Sequence, residues 1–126
     1  MKTKVVAYCR VATHDQLAIE SQKVQIQNYI NGHSDWCAGP VYADVAPASQ
    51  LQEGSDLARL LEDATKGKFQ RVVVPSVSRL ARDMPRFVQM LHRFKEHDIA
   101  VDFLKERIST DDPNAFTLMM LKPQQH

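Results

Sequence analysis

The sequence predicts an α/β domain built in three layers, a mainly parallel sheet flanked by helices. Short β-branched apolar runs alternate along the chain with longer segments of helical period. The runs are continuously apolar, as strands covered on both faces must be. The 126 residues suit one domain with enough interior to fold without staples.

Lys4 to Cys9 is the first such run and reads as a central strand. Ile19 to Ile30 carries Ile19, Val24, Ile26 and Ile30 among Gln, Glu and Lys; its period is imperfect, yet helix fits better than strand. Asn31 and Gly32 then supply a C-terminal stop. A loop is expected over His33 to Pro40, followed by a short strand, Val41 to Ala43, closed by Asp44. From Ala46 to Ser55 the chain shifts to Pro, Ala, Ser, Gln, Glu and Gly without any period, which predicts a mobile loop.

Ser55 can cap a helix over Asp56 to Lys66, whose Leu57, Leu60, Leu61 and Ala64 form one stripe, and Gly67 ends it. Val72 to Val74 is a buried strand stopped by Pro75. Pro85 to Asp98 is an amphipathic helix with Phe87, Val88, Leu91 and Phe94 inward. Ala100 to Leu104 is the last clear strand, and Asn114 to Leu121 starts a further helix. In a parallel sheet of this kind ligands gather beyond the carboxyl ends of the strands. That rule selects Arg10 to Gln16 and Pro75 to Asp83.

Composition narrows the functional classes. Apolar residues make up 44% and charged residues 25% of the chain, the profile of a soluble globular protein. Net charge is only +1, so any nucleic-acid binding must come from a local patch. No apolar run spans a membrane and no signal-peptide core follows the N-terminus, which predicts a cytoplasmic protein without a membrane partner. Cys9 and Cys37 lack metal-ligand spacing, and the five histidines form no paired motif, so no metal site is expected. Trp36 reads as a packing anchor, and Asp111 and Asp112 as the turn before a helix.

The segment PSVSRLARD places Arg79 and Arg82 three residues apart. If Arg79 opens a helical turn, both guanidiniums share one face while Leu80 packs inward. Arg10 at the neighbouring strand end adds a third fixed charge. Guanidinium forks match phosphate oxygens, so a phosphodiester is the natural occupant, against the plainer reading of two solvated arginines.

Taken together, YCRVATHDQ and RLARD resemble the two active-site motifs of the serine recombinases, the resolvases and invertases. DIAVDFLKERISTDDP is similar to the stretch that leads into their long dimerisation helix. The resemblance covers essentially the whole chain and implies a resolvase-like fold of flavodoxin-like topology. It also implies site-specific DNA recombination without metal or cofactor: a serine hydroxyl attacks a DNA phosphodiester to form a phosphoseryl link, and arginines stabilise the charge at phosphorus. DNA is then the partner, and the active unit a dimer or tetramer.

Carried over by position, Tyr8, Arg10, Thr13, Gln16, Arg79 and Arg82 match the family pattern. Arg10, Thr13, Arg79 and Arg82 would contact DNA, with Tyr8 and Gln16 in support. Ala12 stands in the place of the nucleophilic serine, and a methyl group cannot attack phosphorus. Thr13 is the nearest hydroxyl, but its side chain should leave the backbone in another direction.

Other positions depart as well. Ser78 replaces an aspartate and Ser76 a lysine, and the loop carries Pro47-Ala48 and Gly54 where Ser-Gly and an arginine are usual. Several losses together favour a naturally decayed site over a single Ser→Ala change. The chain is expected to be one catalytic domain over residues 1–126, without the long dimerisation helix and the separate DNA-binding domain. Two alternatives stand beside an inactivated recombinase: a non-catalytic module that binds DNA or pairs with an active recombinase, and a small protein binding phosphate ligands. The lack of a Gly-rich phosphate loop counts against the last.

Overall fold

A computed structural model describes residues 2–11, 16–45, 55–80 and 84–112, apart from the side chains of Gln16 and Ser78. Five strands form one sheet in the order β2-β1-β3-β4-β5. β1 (Thr3–Val11) lies between β2 (Trp36–Val45) and β3 (Arg71–Val74), parallel to both. β4 (Ala100–Phe103) pairs parallel with β3, and the two-residue β5 (Ile108–Ser109) closes the edge antiparallel.

The alternation of side chains along β1 divides the core in two. Val6 and Tyr8 face α2 (Asp56–Thr65) and α3 (Met84–Glu96), where they meet Tyr42, Leu60, Leu91 and Phe94. Val5, Ala7 and Cys9 face α1 (Gln16–Asn31) through Ile26 and Ile30. A helix layer therefore covers each face, as the uninterrupted apolar strands require.

The sequence reading needs correction in four places. The segment His33 to Pro40, expected as a loop, is strand from Trp36 onward. Its pairing with β1 shifts register between Val5 and Ala7, so Gly39 and Pro40 oppose the single residue Val6 in a bulge. An edge strand tolerates this proline because its missing N–H costs no ladder bond on the open side. A Cβ on Gly39 would sit only 3.1 Å from Val6 Cγ1.

α1 begins at Gln16, three residues before the expected Ile19. Val24, placed in the apolar stripe by sequence, is 56% exposed, as Leu17 is at 82%. Finally, Arg79 does not open a helical turn; it closes a 3-10 turn spanning Val77–Arg79.

The other boundaries agree within one or two residues. Ser55 caps α2 by accepting the Ala58 N–H at 3.1 Å, and Gly67 follows the helix with φ 69. β5 was not foreseen. The expected loop lies outside the described residues except at Ser55, and the helix Asn114 to Leu121 lies outside them entirely. Among the described residues no helix is long and apolar enough to cross a membrane.

Candidate active site

Strand order reverses between β1 and β3, the point at which sheets of this kind open a crevice at the carboxyl ends of their strands. β1 delivers Arg10 to it and the turn after β3 delivers Arg79. The two meet: Arg10 Nε donates to the Arg79 carbonyl oxygen at 3.3 Å. Leu80 is fully buried beneath this turn and anchors it. The Val77 N–H that starts the turn donates to Glu106 Oε1 at 3.2 Å.

Arg10 is only 8% exposed, and burial pulls its pKa below the usual arginine value. Tyr8 and Asp44 offset part of that pull, while the positive charge of Arg79 adds to it. Two guanidinium groups brought to one crevice repel each other, and an anion seated with them relieves the repulsion.

Asp44 supplies the fixed negative charge. It sits opposite Arg10 in the β1–β2 register. Its Oδ2 accepts the Tyr8 hydroxyl at 2.8 Å and the Leu57 N–H at 3.0 Å, while Oδ1 accepts the Asp56 N–H at 2.8 Å. The carboxylate thus closes the N-terminus of α2, where the helix dipole favours negative charge. Buried beside it, the Tyr8 hydroxyl is pushed far above the ordinary tyrosine range, by desolvation first and by Asp44 second. Tyr8 stays neutral and acts as a donor that locks the carboxylate in place.

Of the residues singled out in the sequence, Tyr8, Arg10 and Arg79 are brought together. Ala12, Thr13 and Arg82 lie outside the described residues, as does the side chain of Gln16, whose backbone opens α1. Sequence reasoning missed Asp44, read there only as the end of a strand. The available signal was position: an aspartate at the carboxyl end of the strand next to β1, facing a Ser-Asp helix start. It missed Gln22 too, whose Nε2 donates to the Arg10 carbonyl oxygen at 3.4 Å.

The chain has known counterparts. The family model described as the resolvase N-terminal domain matches residues 5–123. The chain belongs to this family. Among solved structures, this resolvase-type domain is similar to the N-terminal catalytic domain of TP901-1 integrase. The TM-score there is 0.83 at 23% identity, with 94% of this chain and 90% of that one covered. A resolvase-family site-specific recombinase from Streptococcus pneumoniae gives a TM-score of 0.77 at 22% identity, over 94% of this chain and 83% of that one. A serine recombinase from Sulfolobus solfataricus gives 0.61 at 22% identity, over 82% and 69%. At these identities the likeness is one of fold. No curated protein matches the chain.

Proposed function

We propose that this domain keeps the phosphodiester pocket of a serine recombinase and has lost its nucleophile. The observation that supports this most directly is the meeting of Arg10 and Arg79 at the β1–β3 crevice, in a chain with alanine at position 12. Arg10, buried and aligned by the backbone of Arg79, would turn its guanidinium toward one phosphate oxygen. Arg79 would contact another, and Arg82 is proposed as the third cation. Asp44 and Tyr8 are positioning residues in this reading, holding the end of β1 and the start of α2 in fixed relation.

Without a hydroxyl at position 12 no phosphoseryl bond forms, so the domain binds DNA and does not cut it. Its role is then that of a resolvase-like module acting on DNA alone or beside an active recombinase subunit. Arginines that stabilise a pentacovalent phosphorus in an enzyme still hold a ground-state phosphodiester when the nucleophile is gone.

The test combines binding with covalent trapping. Duplex DNA should bind the chain at low salt, with at least a ten-fold weaker Kd in Arg10→Gln, since one charge-assisted contact contributes about 1.5–3 kcal/mol. A denaturing gel should show no protein–DNA adduct for the wild-type chain. An adduct would overturn the reading, as would duplex binding indifferent to Arg10. If Ala12→Ser alone restored an adduct, the site would be an intact machine lacking one atom; continued inertness would place the losses at Ser76 and Ser78 beside it.

A further inference from the structure

An open groove of about 1000 Å³ runs from the crevice between α1 and the β4–β5 hairpin. Its α1 wall is a stripe of amides, Gln22, Gln25 and Asn28, at the three-residue spacing that puts side chains on one helix face. The opposite wall carries Arg79, Lys105 and Arg107. Among the described residues the lining holds three cations and no carboxylate, whereas the whole chain is almost neutral.

The walls are held apart at fixed points. Tyr29 of α1 donates its hydroxyl to Asp102 of β4 at 2.6 Å, and Gln22 ties α1 to the end of β1 through Arg10. The hairpin is fastened by the Leu104 N–H to Val74 oxygen at 3.0 Å and the Lys105 N–H to Pro75 oxygen at 2.9 Å. The carboxylates nearby are engaged elsewhere: Asp102 and Asp111 by Arg71, Glu106 by the Val77 N–H.

Two further features belong to the groove wall. Arg107 occupies the left-handed backbone region, φ 57, which glycine fills without strain and an arginine does not. Gln22 Oε1 is buried and has no hydrogen-bond partner among the described residues.

We infer that this groove is a second phosphate subsite, in which Lys105 and Arg107 hold the backbone of the DNA strand continuing from the phosphodiester at Arg10 and Arg79. The inference rests on the proposed phosphodiester pocket, with which the groove shares Arg79. Amides along one wall and cations along the other suit a strand whose sugar and base edges face α1 while its phosphates face the hairpin. An acidic protein segment would satisfy the cations and leave the amide stripe without a purpose.

The experiment is a salt titration of duplex binding by fluorescence anisotropy on the full chain, with K105Q/R107G beside Arg79→Gln. Removing two phosphate contacts should lower the slope of log K against log salt by about 1.8 and weaken binding several-fold near physiological salt. R107G alone should melt at or above the wild-type temperature, because glycine relieves the left-handed strain. A loss of binding in that variant therefore cannot come from a loosened hairpin.

An unchanged slope in K105Q/R107G, with binding still reduced in Arg79→Gln, would overturn the groove and leave the pocket standing. Failure of the wild-type chain to bind duplex at low salt would overturn both. Loss of poly-glutamate binding with duplex binding intact would assign the groove to an acidic protein and overturn the inference.

Discussion

Each of the three tyrosines in the chain donates its hydroxyl to an aspartate on another element. Tyr8 pairs with Asp44 at 2.8 Å, Tyr29 with Asp102 at 2.6 Å and Tyr42 with Asp63 at 2.6 Å. Every pair holds a phenol neutral against a carboxylate, and burial acts in the same direction. Tyr29 and Tyr42 are both raised from 10.0 to about 12, by desolvation first and the aspartate second. The folded state therefore keeps protons that the unfolded chain releases. Their stabilising contribution is complete below pH 10 and is lost as pH rises toward about 12. Urea midpoints should fall across that window in the wild-type protein, and the fall should shrink in Tyr29→Phe/Tyr42→Phe. An equally steep fall in the double variant would assign the alkaline loss to other groups. None of the three pairs was legible in the sequence, because their partners lie 36, 73 and 21 residues away and no local pattern links them. The arginines were legible, since Arg10 lies at the end of the first apolar run and Arg79 in the short turn after the third.

At the scale of elements, the parts that sequence reasoning found are those with a period and a cap. α2 has Ser55, a first-turn Asp56 and a regular leucine stripe; β1 and β3 are unbroken β-branched runs. β5 was invisible because two residues carry no period, and the first half of β2 because Gly39 and Pro40 resemble a turn when their bulge is unknown. β5 is held from two sides, by Ile108 packed against the core and by a polar cluster around Ser109. Asp102, 3% exposed, accepts from Tyr29, Arg71 and the Ser109 hydroxyl. Arg71 also engages Asp111, and its guanidinium lies 4.9 Å from the Trp36 ring centroid. Trp36 in turn stacks on His33, with centroids 3.6 Å apart, which makes it the anchor that the sequence suggested. Asp102→Ala leaves Arg71, Tyr29 and Ser109 without their shared acceptor, so it should cost about 3 kcal/mol. Urea denaturation with an unchanged m-value would measure that loss. A cost under about 1 kcal/mol would mean that the cluster is solvated and that backbone bonds and Ile108 packing hold the hairpin.

At the scale of the whole molecule, Arg10 meets Arg79 at the point where the strand order turns, a location that was readable before any contact was known. Parallel strands in the order β2-β1-β3 leave β1 and β3 ending side by side with their connections running to opposite faces. Residues that sequence separates by 69 positions then become neighbours, as Arg10 and Arg79 do. A pocket assembled from two connections should couple ligand binding to global stability, since unfolding separates the parts and abolishes the affinity. Saturation with duplex DNA at about 100 times Kd should stabilise the fold by about 2.7 kcal/mol, which for a domain of this size raises Tm by roughly 10 °C. The shift should vanish as salt is added, because phosphate contacts are displaced by counterions. In Arg10→Gln, at the same duplex concentration, a ten-fold weaker Kd should cut the stabilisation to about 1.4 kcal/mol, roughly half the wild-type shift. A Tm that rises equally in wild type and Arg10→Gln would locate the bound DNA away from the strand ends, and the crevice would then be a structural seam instead of a phosphate site.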